Sequence, residues 1–159
     1  MKSLVNREIK FRGIPLFGKE FVYGSLIIDT DEKGEKVYII RRIESGKVSN
    51  FEVKEETVGQ LVLINNNEQK IYEGDVFIKE VLMCEDGKNS SCGTYWIPCK
   101  CVIIFKDVKF CGKYEFEKLD IKSNHIDMSL FSNRKGFVDI DINSIEAIGN
   151  IHEKPELKG

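Results

Sequence analysis

The sequence predicts a mainly β protein, built from short antiparallel strands gathered into small barrels with little helix. Three observations predict it. Several short runs alternate apolar and polar residues with period two, among them Glu8-Ile9-Lys10-Phe11-Arg12 and FVDIDI, Phe137 to Ile142. Polar clusters with glycine or asparagine break these runs at short intervals. The one segment with a helical opening, Lys54 to Ile64, carries Gly59 and ends in the branched run Leu61-Val62-Leu63-Ile64. Short strands leave edges, and closing them into barrels or packing them as sandwiches hides those edges.

The elements follow in order. Glu8 to Arg12 reads as a half-buried strand, and Phe21 to Ile28 as a stronger one. Thr30 to Lys36 is a hairpin turn with its own glycine, answered by the strand Val37 to Ile43. Glu44-Ser45-Gly46-Lys47 is the next turn and Val48 to Val53 the next strand. Lys54 to Ile64 passes from one helical turn into a strand. Asn65-Asn66-Asn67 is a turn, because asparagine tolerates left-handed backbone angles. Lys70 to Tyr72 resumes the sheet, and Val76 to Met83 continues it. Glu85 to Thr94 is the most loop-like segment, followed by the strand Trp96 to Phe105. Phe110 to Leu119 alternates loosely. Ser123 to Gly136 reads as a loop with one helical turn at Ile126 to Phe131, and Ile145 to Ile151 as the last strand.

The 159 residues suit one domain, or two intimately packed β lobes at about 1–64 and 65–159. Hydrophobic residues make up 42% and charged residues 31%, so a true core and a soluble surface are both available. The formal net charge of −2 gives no global positive field of the kind non-specific DNA binders use. Local asymmetry exists at the start, where Lys2, Arg7, Lys10, Arg12 and Lys19 face only Glu8 and Glu20. No apolar stretch has the length of a signal peptide or membrane span, so a cytoplasmic protein with reduced thiols is expected.

Five stretches resemble the YopX family, whose members are encoded mainly by bacteriophages, prophages and plasmids. They are REIKFRG (7–13), FVYGSLI (21–27), ETVGQLVLI (56–64), KIYEGDVF (70–77) and IEAIGNIHEKPEL (145–157). They occur in the family's order and reach both ends of the chain. The resemblance implies a mostly β fold, part of it like a small SH3 barrel, and a phage origin; it implies no activity. Gly59, Tyr72, Gly74, Asp75 and Gly149 are the structural signature within those stretches. The chain departs from the pattern at NNNEQ (65–69), where a glycine is usual, and at the cysteine-bearing segment from Met83 to Cys101.

Each candidate chemical constellation has a plainer reading. The cysteines are spaced C-x7-C-x6-C-x-C-x9-C from Cys84 to Cys111, without the close pairs that aim two sulfurs at one zinc ion. Cys99, Cys101 and Cys111 read instead as small apolar residues in strands. His125 and His152 lie 27 positions apart, in a polar loop and in the tail, with no nucleophile motif beside either; both are expected at the surface. Glu73 with Asp75, and Asp139 with Asp141, are i, i+2 pairs that a strand would hold on its wet face. Gly74 alone cannot cradle a phosphate.

The stretch IYEGDV therefore reads as a strand corner. Ile71 and Val76 face the core, both carboxylates face water, and Gly74 sits where a Cβ would strain the backbone. The expected product is a non-enzymatic binding surface without cofactor or metal. A host or phage protein is the expected partner, or a second copy of the chain, with no membrane role. Single-stranded nucleic acid is the runner-up, because aromatic and basic residues neighbour one another. Candidate surface residues are Arg7, Lys10, Arg12, Arg41, Arg42 and Trp96.

Overall fold

A computed structural model describes residues 10–84, 94–107, 109–116, 134–141 and 145–157. Eleven strands occur in them: β1 (Phe11–Gly13), β2 (Val22–Thr30), β3 (Lys36–Glu44), β4 (Lys47–Val53), β5 (Gly59–Ile64), β6 (Lys70–Tyr72), β7 (Asp75–Cys84), β8 (Thr94–Lys106), β9 (Lys109–Phe116), β10 (Arg134–Val138) and β11 (Gly149–Asn150). Two single 3₁₀ turns, Glu55–Thr57 and Pro155–Leu157, are the only helical pieces among the described residues. The strands form a six-stranded sheet of order β4-β3-β2-β1-β5-β6 and a five-stranded sheet of order β10-β9-β8-β7-β11, with every pairing antiparallel.

Local chemistry sets the turns. Asp31 closes the β2–β3 hairpin by accepting the amides of Lys33 and Glu35, both at 2.9 Å, on one carboxylate oxygen. Ser45 and Gly46 both take positive φ, at 49° and 76°, which is the type I′ geometry that matches strand twist across a two-residue loop. The asparagine turn forms as expected, with Asn65 Oδ1 accepting from Asn67 and Gln69 at 2.9 Å each. Its left-handed residue is Glu68, φ 61°, rather than an asparagine.

The first sheet curls without closing fully. Leu16 donates its amide to Glu52 O at 3.1 Å and Lys54 donates to Ile14 O at 2.9 Å, so the chain beyond β1 meets the end of β4. Thr57, buried, ties the same seam by accepting from the Ile14 amide at 2.8 Å and donating to Lys54 O at 2.7 Å. Ile14, Phe21, Ile40, Val53 and Leu61 are buried in this half. A larger core lies under the second sheet, from Ile71, Phe77, Met83, Ile97, Cys99, Cys101, Ile103 and Ile145, with Val62 and Leu63 of β5 packed against it.

Three expectations change. Arg134 to Gly136 lies within β10, not in a loop; the helical turn expected at 126–131 falls outside the described residues. The FVDIDI strand stops at Val138, where Asp139 leaves the ladder to accept from Lys109 Nζ at 2.8 Å, while Ile140 still packs on the core. The last strand shrinks to Gly149–Asn150. Before it, the Gln69 side-chain amide substitutes for a neighbouring strand, donating to Ala147 O and accepting from Ala147 N, both at 3.1 Å.

Candidate functional site

Six residues carry the chain from the first sheet to the second at the stretch IYEGDV. β6 ends at Tyr72, β7 begins at Asp75, and only Glu73 and Gly74 lie between. Gly74 takes φ +85°, the left-handed region that suits glycine. Ile71 and Val76 are fully buried, as the corner reading requires. Glu73 donates its amide to Gln60 O of the first sheet at 3.0 Å, and Gly74 donates to Ile103 O of the second at 2.8 Å. Gly59 of β5 passes so close that an added Cβ would stand 2.6 Å from Glu73 O. Gly149 pairs with Val76, so the five signature residues converge on this one corner.

Asp75 does not face water. Both it and Arg12 are only 5% exposed, and Arg12 Nη2 donates to Asp75 Oδ1 at 2.6 Å. The same guanidinium nitrogen donates to Glu73 O at 3.1 Å. Asp75 accepts two further hydrogen bonds, from the Tyr72 amide at 2.8 Å and from Asn150 Nδ2 at 3.3 Å. Asn150, itself buried, accepts the His152 amide at 2.8 Å. The Arg12 guanidinium carbon lies 4.3 Å from the Phe21 ring centre and 4.7 Å from that of Tyr72, so the cation is stacked between two aromatic faces. Two buried charges are tolerable only when paired and hydrogen-bonded in this way. Arg12 thus belongs to the interior and leaves the set of surface candidates. His152 is half-buried beside Gly74 rather than solvated in a free tail. Both Asp75 oxygens are engaged within the fold, Oδ1 by Arg12 and Asn150 and Oδ2 by the Tyr72 amide.

The remaining basic candidates do not gather. Arg7 lies outside the described residues, and Lys10 is half-buried just before β1. Arg41 is exposed and donates from Nε to Asn50 Oδ1 at 3.0 Å. Arg42, on the opposite face of β3, sits over the Phe51 ring at 5.3 Å and pairs with Glu44 at 3.5 Å. Lysines of the second sheet also have acidic mates: Lys109 with Asp139 and Lys113 with Glu115, each at 2.8 Å, and Lys106 with Asp107 at 3.8 Å. Hydrogen bonding to Asp139 raises the Lys109 pKa, and the same bond lowers that of Asp139.

Trp96 behaves as expected of a surface residue, at 64% exposure. It lies directly across from Leu82, itself 51% exposed, and Ile78 stands on the same face of β7 four residues away, with the exposed Glu80 between them. Pro98 and Lys100, opposite Glu80 and Ile78, are exposed on the same side of β8. An open cleft of about 290 Å³ beside this face is lined by Phe77, Ile78, Trp96 and Ile145 together with the charged Lys79, Glu80 and Asp141. It is shallow and charged where small-molecule sites are enclosed and mostly apolar.

A family model described as YopX protein matches residues 10–157. The chain belongs to the YopX family. No curated protein and no solved structure matches it. The match spans the corner and assigns no reaction to it.

Within this YopX chain, Cys99, Cys101 and Cys111 are all buried in strands, as the strand reading expected; Cys99 and Cys101 fill the second core, and Cys111 stands on the other face of β9. Desolvation pushes the Cys99 thiol up to about 11 and the Cys101 thiol up to about 12. Two outcomes are expected. Neither thiol should react with iodoacetamide in the folded protein at pH 8, and both should react in urea. Their folded pKa values lie above the unfolded ones, so their contribution to stability is complete below pH about 9 and is lost as pH rises towards 11–12. The urea midpoint followed across that window checks the sign. Among the described residues, no three His, Cys, Asp or Glu side chains group as a metal ion would need, and no helix is long and apolar enough to cross a membrane.

Sequence reasoning missed the exposed face of β7 and β8. Ile78 and Leu82 lie in VFIKEVLM, which has apolar residues on both faces and one charged residue on each, so periodicity does not show which face is covered. Only the register that sets Leu82 against Trp96 reveals one face as exposed.

Proposed function

We propose that the protein is a non-enzymatic binding protein, and that a protein partner docks on the outer face of β7 and β8. One observation carries this reading: Leu82 and Trp96 form a cross-strand pair with both side chains largely exposed. Tryptophan is over-represented among the residues that dominate binding energy, and an exposed aromatic–aliphatic pair with charged residues beside it has the composition of an interface centre. The enclosure of Asp75 supports a non-enzymatic role by removing the corner from the possible active sites. The family resemblance supports a phage origin, hence a partner of host or phage origin and a cytoplasmic setting in the infected cell.

Trp96→Ala is expected to change stability by no more than about 0.5 kcal/mol, because the side chain packs on little. It is expected to abolish capture of the partner from infected cells, and the purified partner should bind the variant at least about ten-fold more weakly. Equal binding by wild type and variant would overturn this assignment of the surface.

Single-stranded nucleic acid is a second reading, favoured by an exposed aromatic beside a lysine: Phe137, with Lys106 Nζ 3.5 Å from its ring centre. Against it stand the burial of Arg12 and the acidic mates of Lys106, Lys109 and Lys113. Salt-dependent binding of labelled single-stranded DNA would favour it, and no binding at low salt would remove it.

A further inference from the structure

The corner joins more than two strands, because the residues that satisfy its buried charges come from both sheets. Arg12 stands on β1, flanked in the first sheet by β2 and β5. Its stacking faces, Phe21 and Tyr72, also belong to that half of the molecule. Its counter-charge, Asp75, opens β7 of the second sheet, and Asn150, which orients Asp75, stands on β11 of the same sheet. Neither sheet holds a neutral corner by itself. Parting the sheets would split the pair, leaving the Arg12 cation on the first and the Asp75 carboxylate on the second, each without the partner that offsets its burial. The connection offers no slack either, since Glu73 is hydrogen-bonded to one sheet and Gly74 to the other.

We infer that the Arg12–Asp75–Asn150 cluster locks the two sheets into one cooperative folding unit, so that neither sheet is stable without the other. The cluster draws on positions near the start, middle and end of the matched region, so it completes only when all three segments are in place. A substitution on one sheet must then loosen the other sheet as much as its own.

Amide hydrogen exchange in rising urea, followed by NMR on the full chain, tests this. The reporters are the slowest amides of β2–β3 in the first sheet and of β8 in the second. In the wild type, both sets should open with the same equilibrium constant, within about two-fold, as one cooperative unit does. Arg12→Lys, on the first sheet, keeps the charge but loses the planar fork and its stacking. Asn150→Ala, on the second, removes the group that orients Asp75. Each variant should raise opening in both sheets by the same factor, about ten-fold or more. Loss of protection in both sheets together is the same result in extreme form. Separate opening in the wild type, an effect confined to the mutated sheet, or one sheet staying protected after the other is lost would overturn the inference.

Discussion

Asp75→Ala is expected to lose about 3–5 kcal/mol of stability in urea unfolding, close to the limit of what a single change does in a domain of this size. The reason is electrostatic rather than steric. The substitution leaves Arg12 buried at 5% exposure, stacked between Phe21 and Tyr72 and without its counter-charge. The cation cannot neutralise itself, because a guanidinium does not lose its proton in a protein. The change also strands the Tyr72 amide and Asn150 Nδ2, which now donate to the lost carboxylate. Asp75→Asn should cost less, since the amide oxygen can still accept from Arg12. Unfolding curves on the three proteins rank these effects; a cost for Asp75→Ala below about 1 kcal/mol would mean that the pair is solvated.

Gly59→Val is expected to cost about 3 kcal/mol, by a different mechanism. A Cβ at this position would meet the backbone oxygen of Glu73 at 2.6 Å, and backbone cannot swing aside as a side chain can. The oxygen it displaces is the one that accepts from Arg12 Nη2, so the steric change reaches the ion pair. Glu73→Gln is the matching control. Glu73 serves the corner through its backbone amide and carbonyl, and the substitution keeps both, so an effect within about 0.5 kcal/mol is expected. Equal tolerance of both changes in thermal or urea unfolding would mean that β5 and the corner can separate freely.

Most of the strand order was legible because alternation and turn chemistry are local. Ile71 and Val76 were placed in the core, and Gly74 at a strained position, from a few neighbouring residues. Asp75 and Arg12 were misplaced for a common reason. Period-two reading puts Lys10 and Arg12 on one polar face, but β1 lies between β2 and β5 and its Arg12 side is covered. The group that makes its burial tolerable lies 63 positions away, and Asn150 lies 75 positions from Asp75. No local pattern encodes such a partnership. The exposed face of β7 and β8 was hidden for the complementary reason. Apolar residues on both faces of a strand signal burial, whereas exposure here depends on which elements the fold leaves uncovered.

The most direct test of the corner as a structural lock is a double-mutant cycle across the sheets, using Arg12→Met and Asp75→Leu measured by urea unfolding. Each single change should cost about 3–5 kcal/mol by stranding one buried charge. The double variant removes both charges at once, and apolar residues replacing a buried ion pair are often neutral or better. It should therefore recover most of the loss, with a coupling energy above about 2 kcal/mol. Additive costs, leaving the double variant less stable than either single one, would contradict the account, because the two charges would then be stabilised by something other than each other.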